Sequence, residues 1–132
     1  MIGILLITHN GLGDSLLDCV KHVMGGVPSN LKSMAVLADD SAQQKIVEGR
    51  ILIEQLNTGE GVLLLTDLFG ATPCNIARQL CQAGRVTCVT GVNLPMLLRV
   101  LGYCQQTLAE VTRKALTGGR DNIMSIDTPL QN

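Results

Sequence analysis

Aromatic side chains are almost missing from this sequence. Phe and Tyr occur once each and Trp not at all, 2% of 132 residues. Proteins that stack bases or sugar rings need several such platforms, so nucleic-acid and aromatic sugar-binding surfaces are not expected. An excess of one charge is missing too. Ten Lys and Arg face 11 Asp and Glu, for a net charge of -1. That balance offers no basic footprint for nucleic acid and none for an acidic membrane surface. Long apolar runs are also absent. The run Ile2 to Ile7 is too short to span a bilayer, and it lacks the positive flank of a signal peptide. Cytoplasmic residence is the expectation that follows.

Cys19, Cys74, Cys81, Cys88 and Cys104 make an odd count with no C-x-x-C spacing. They read as free thiols packed like small hydrophobes in a reducing compartment, and their spacings do not suit a zinc site. No G-x-x-x-x-G-K-[ST] string occurs, so no ATP site is visible. Neither a metal nor a cofactor is expected.

What is present is a 46% apolar chain of single-domain length, enough for one core and too little for two. Residues 1–126 read as that domain and 127–132 as a loose tail. Short apolar runs alternate with helical patterns. Ile2–Ile7, Lys32–Leu37, Gly61–Thr66 and Arg85–Thr90 read as strands, the first and third as continuous runs suited to burial on both faces. Between them lie helices over Gly11–Val23, from Ser41 to about Leu56, and from Thr72 to about Ala83. Thr72 reads as an N-cap with Pro73 at the first helical position. Asn93 to Pro95 open a short helix, and Thr107 with Glu110 forms a capping box for one ending near Gly118-Gly119. Asn122–Ile126 reads as a last short strand. The order βαβαβαβααβ predicts an α/β fold of three layers, doubly wound around a mostly parallel sheet. Its expected strand order is 2-1-3-4, with the fifth strand at an edge.

In such sheets ligands bind outside the carboxyl ends of the strands, where the strand order reverses. For order 2-1-3-4 that place lies between the first and third strands. Thr8-His9-Asn10-Gly11 follows the first, and Asp67-Leu68-Phe69-Gly70-Ala71-Thr72-Pro73 follows the third. His9 and Asp67, distant in sequence, should therefore meet. Histidine is a neutral nucleophile near pH 7. A carboxylate on one ring nitrogen sets the tautomer and leaves the other nitrogen's lone pair free. The helix start at Thr72-Pro73 adds free backbone N–H groups suited to phosphate, and Gly70 lets the backbone approach. Together they suggest phosphoryl transfer through a phosphohistidine. Taken singly, each has a plainer reading: a polar loop histidine, an Asx-turn aspartate, an ordinary helix start. His22, near a helix end where a cation suits the dipole, reads as a surface residue. Asp39-Asp40 reads as helix-start chemistry.

Three segments resemble the mannose-family IIA domains of the bacterial phosphotransferase system. They are Ile4-Leu5-Leu6-Ile7-Thr8-His9-Asn10-Gly11, then Leu64-Leu65-Thr66-Asp67-Leu68-Phe69-Gly70-Ala71-Thr72-Pro73-Cys74-Asn75, and Val89-Thr90-Gly91-Val92-Asn93-Leu94-Pro95-Met96-Leu97. The resemblance implies that His9 is phosphorylated and that Asp67 orients it. It implies HPr as donor, a IIB domain as acceptor and a membrane permease only indirectly. It also implies a homodimer in which an antiparallel edge strand, about Asn122–Ile126, is exchanged. Asn10 stands where many members have Gly, which raises the question of a one-residue shift in the loop. Thr72 stands where many have Ser, which keeps the hydroxyl. On this reading Nε2 of His9 takes the phosphoryl group, Nδ1–H faces Asp67, and Gly70, Ala71 and Thr72 hold the phosphate oxygens.

Two alternatives share the fold and the histidine: the phosphotransfer subunit of a dihydroxyacetone kinase, and a regulatory carrier without transport. The Asn-Leu-Pro-Met string favours the sugar-transport branch. A response-regulator receiver would want acids after the first strand, and a flavodoxin would want aromatic rings. The chain has Thr8-His9-Asn10 at the first place and only one Phe and one Tyr in all. No residue encodes which sugar is served.

Overall fold

Apolar residues at consecutive positions of a strand point to opposite faces, so a strand that is apolar throughout must be covered on both. Ile4 and Leu6 pack into one buried cluster and Leu5 and Ile7 into another. Leu63 and Leu65 divide from Val62 and Leu64 in the same way. These residues lie in β1 (Gly3–His9) and β3 (Val62–Thr66). The computed structural model describes residues 1–130. It adds strands β2 (Leu31–Val36) and β4 (Val86–Thr90), and helices α1 (Leu12–Met24), α2 (Ala42–Leu56), α3 (Thr72–Leu80), α4 (Leu94–Leu101) and α5 (Leu108–Asp121).

The sheet is parallel throughout, in the order β2-β1-β3-β4, as the alternation of elements predicts. One cluster joins it to Val20 of α1, Leu97 and Val100 of α4, and Val111 and Ala115 of α5. The other joins it to Ile53 and Leu56 of α2 and to Ile76 and Leu80 of α3. The result is three layers with the sheet in the middle. Each large side chain buried this way contributes about 1.5–3 kcal/mol.

Most helix boundaries follow local chemistry. Ser41 accepts the N–H of Gln44 at 3.3 Å, and Thr107 accepts that of Glu110 at 3.3 Å. Asn93 accepts the N–H of Met96 at 2.9 Å. Gly25, at φ 85°, closes α1.

Two expectations change. Ala71, not Thr72, occupies the cap of α3, so Thr72 and Pro73 are its first two helical residues. Ala71 has no side chain to cap with, which leaves the helix start open. The same helix stops at Leu80 rather than near Ala83, because Gln82 exchanges two backbone hydrogen bonds with Val86, of 3.0 and 2.9 Å. Helical continuation cannot satisfy those groups at the same time. Within this one chain Asn122–Ile126 forms no strand. Residues 123–127 are irregular and exposed, since a strand needs an edge to pair with and no strand of the described chain pairs with them. Of the expected tail, Gln131 and Asn132 lie outside the described residues.

Candidate active site

The pairing of β1 with β3 sets Ile7 against Thr66, so the next residues of both strands leave the sheet side by side. His9 ends β1, and Asp67 is the first residue after β3. The predicted meeting occurs. Nδ1 of His9 lies 2.8 Å from Oδ2 of Asp67, and the backbone N–H of His9 donates to the same oxygen at 3.0 Å. The carboxylate thus holds both the ring and the main chain that carries it. Exposure separates the two: the His9 side chain is 45% accessible and that of Asp67 only 11%. With Nδ1 occupied, Nε2 is the free ring nitrogen. The second oxygen of Asp67, Oδ1, is buried without a hydrogen-bond partner.

Neighbouring groups brace this pair. The N–H of Asn10 donates to the carbonyl of Val36 at 3.0 Å, tying the turn to β2. Asn10 sits at φ 49°, in the left-handed region. Gly fits that region best, and Asn tolerates it better than other side chains. Asn10 therefore makes this turn without a glycine. The hydroxyl of Thr8, fully buried, accepts the N–H of Gly13 at 2.8 Å, which seats the start of α1 on the sheet beside His9. Gly13 permits the close approach: a Cβ there would meet the Ser33 hydroxyl oxygen.

The segment after Asp67 is exposed at Leu68, Phe69 and Gly70, and Gly70 turns at φ 82°. The N–H groups of Gly70 and Thr72 have no hydrogen-bond partner among the described residues. The open helix start, the positive end of the α3 dipole and the flexible backbone of Gly70 make an anion-receptive loop next to the pair.

Other singled-out residues stand apart. His22 is exposed in the last turn of α1. Asp40 accepts the N–H of Leu37 at 2.7 Å and lies 3.6 Å from Lys45 in α2, so it shapes the turn before that helix. All five cysteines are free. Burial pushes the Cys88 thiol up to about 12 and raises Cys81 and Cys104 as well. A hollow of about 720 Å³ lies at the other end of the sheet, lined by residues such as Glu60, Gly84, Thr87 and Thr112. None of its lining comes from the loops that carry His9 and Asp67. Sequence reasoning missed the roles of Thr8 and Asn10. A buried threonine inside an apolar strand was the available signal for the first, and a polar residue directly before Gly11 for the second.

A family model described as the PTS system fructose IIA component matches residues 3–116. The chain belongs to that family, the mannose and fructose type of phosphotransferase-system IIA component. It is 26% identical over 128 residues to the mannose-specific EIIAB component of the phosphotransferase system of Escherichia coli K12. That match covers 95% of this chain and 39% of the relative, so the chain spans about two fifths of the curated relative's length. The mannose/sorbose-specific IIA subunit from Enterococcus faecalis has a similar structure, with a TM-score of 0.86 at 20% identity, covering 99% of this chain and 98% of that one. A phosphotransferase-system EIIA component from Streptococcus agalactiae gives 0.81 at 22% identity, covering 95% and 97%. Those two likenesses confirm the fold. No helix among the described residues is long and apolar enough to cross a membrane.

Proposed function

We propose that this IIA component carries a phosphoryl group on Nε2 of His9, taken from HPr and passed to a IIB domain during sugar uptake. The observation that carries the proposal is the 2.8 Å contact of His9 Nδ1 with Asp67 Oδ2. With Nδ1–H donating to the carboxylate, the lone pair on Nε2 is left free on a side chain that is nearly half exposed. Transfer is an in-line exchange at phosphorus. The Nε2 lone pair forms a new N–P bond while the donor's N–P bond breaks, its electron pair returning to the donor imidazole. The Asp67 carboxylate balances the positive charge that develops on the His9 ring. Gly70, Ala71 and Thr72 hold the phosphoryl oxygens through backbone N–H groups and the Thr72 hydroxyl. Fixed dipoles of this kind stabilise developing charge without a metal, and the step runs in reverse toward the acceptor.

A IIB acceptor is supported by the name of the mannose-specific relative, which joins an A and a B part. Residues 1–126 act as one unit, working in the cytoplasm and reaching a permease only through the IIB partner. A second copy completes the molecule. Ile123, Met124 and Ile126 are 76%, 66% and 81% exposed, and an extended apolar segment of this kind gains by pairing with the sheet edge of another subunit.

The test is incubation with enzyme I, HPr and phosphoenolpyruvate, followed by intact mass measurement. One acid-labile phosphoryl group per chain is expected, and none on His9→Ala. A variant lacking the imidazole that is still phosphorylated would reject the assignment.

A further inference from the structure

We propose that Arg78 is a positioning residue for the phosphate-holding loop, its guanidinium keeping the Phe69 ring, and with it the N–H groups of Gly70, Ala71 and Thr72, in place against α3. The inference rests on the carrier reading above and adds a residue to that same site. The loop has little else to fix it. No backbone group of Leu68, Phe69 or Gly70 bonds to another backbone group among the described residues. Leu68 is 59% exposed and Phe69 71%, so neither is buried as an apolar anchor. Gly70, at φ 82°, brings no side chain and has the freest backbone of any residue type. A loop of this kind must lose conformational freedom each time it closes on a phosphoryl group.

Arg78 supplies a tie. It stands exposed in the last turn of α3, and helical side chains lean toward the start of their helix. The guanidinium carbon accordingly lies over the Phe69 ring, 5.9 Å from its centroid, within the range of a cation–π contact. Among the described residues Arg78 makes no ion pair with a carboxylate, which leaves the ring as the partner of its charge. The two side chains also border one hollow of about 170 Å³, shared with Cys74, Cys88 and Thr90. That seam between α3 and β4 is unfilled, so packing alone does not seat the ring. A plainer role for a cation in a last turn is to suit the helix dipole. That role would not involve Phe69, and the difference is measurable.

The experiment is a double-mutant cycle on the full chain: wild type, Arg78→Ala, Phe69→Leu and the double variant. Each is labelled by phospho-HPr over a range of HPr concentrations, well below its Tm, and read by rapid quench. At saturating HPr each single variant should be labelled about two- to fivefold more slowly, and the double variant no more slowly than the slower single one. A saturated rate in Arg78→Ala equal to that of the wild type overturns the proposal. So does a loss confined to the half-saturating HPr concentration, which belongs to docking. A double variant whose loss is the product of the two single losses also overturns it, because the side chains then act independently. In each of these cases the wild type is still labelled and the carrier reading stands. A wild type that takes up no phosphoryl group removes the carrier reading and this proposal with it.

Discussion

Asp67 does two jobs with one oxygen, gripping the ring and the backbone N–H of the same histidine. Removing the charge while keeping the shape isolates the electrostatic part. Asp67→Asn should fold and should still be phosphorylated, with transfer slowed by about tenfold or more, as read by rapid-quench labelling. An unchanged rate would reduce the carboxylate to a turn residue. Asn10 carries a conformational cost instead. At φ 49° a β-branched side chain crowds the backbone, so Asn10→Val should lose about 1–2 kcal/mol in urea unfolding. Asn10→Gly should stay near the wild type, because Gly adopts that conformation freely. Equal stability of the two variants would contradict the local geometry.

Single elements are placed by close backbone approach as much as by side-chain fit. Gly3 opens β1 against the end of α2. A Cβ at that position would lie 2.8 Å from the carbonyl oxygen of Leu56 and 2.7 Å from its Cβ. Backbone cannot step aside as a flexible side chain can. Gly3→Ala should therefore cost about 1–3 kcal/mol, the range for forced overpacking, seen as a lower Tm. An unaltered Tm would mean that the end of α2 is free to move. The same tightness positions the site, since β1 delivers His9 at its far end and any tilt of the strand shifts the imidazole relative to Asp67.

At the scale of the whole molecule, the described segment 123–130 is exposed throughout and belongs to no helix or strand. Its exposed Ile123, Met124 and Ile126 contrast with the buried Val111 and Ala115 of α5 just before it. Deleting residues 122–132 should convert the proposed homodimer to a monomer in sedimentation equilibrium while leaving the far-UV circular dichroism of the α/β fold in place. A truncated chain that remains dimeric would place the subunit contact elsewhere.

The sequence by itself determined the layers and the meeting of His9 with Asp67. Uninterrupted apolar runs such as Ile4–Ile7 must be covered on both faces, and alternation with helices leaves few ways to wind the sheet. Motif spacing then sufficed for the reactive pair, because parallel strands release their next residues at one end. Only the tertiary structure decided the cap of α3, the left-handed turn at Asn10 and the fate of Asn122–Ile126. Each of these depends on competition between a local preference and a partner far along the chain. Ala71 takes the cap that Thr72 would fill by propensity, the Gln82–Val86 pairing ends α3 early, and an extended segment becomes a strand only where another edge receives its hydrogen bonds.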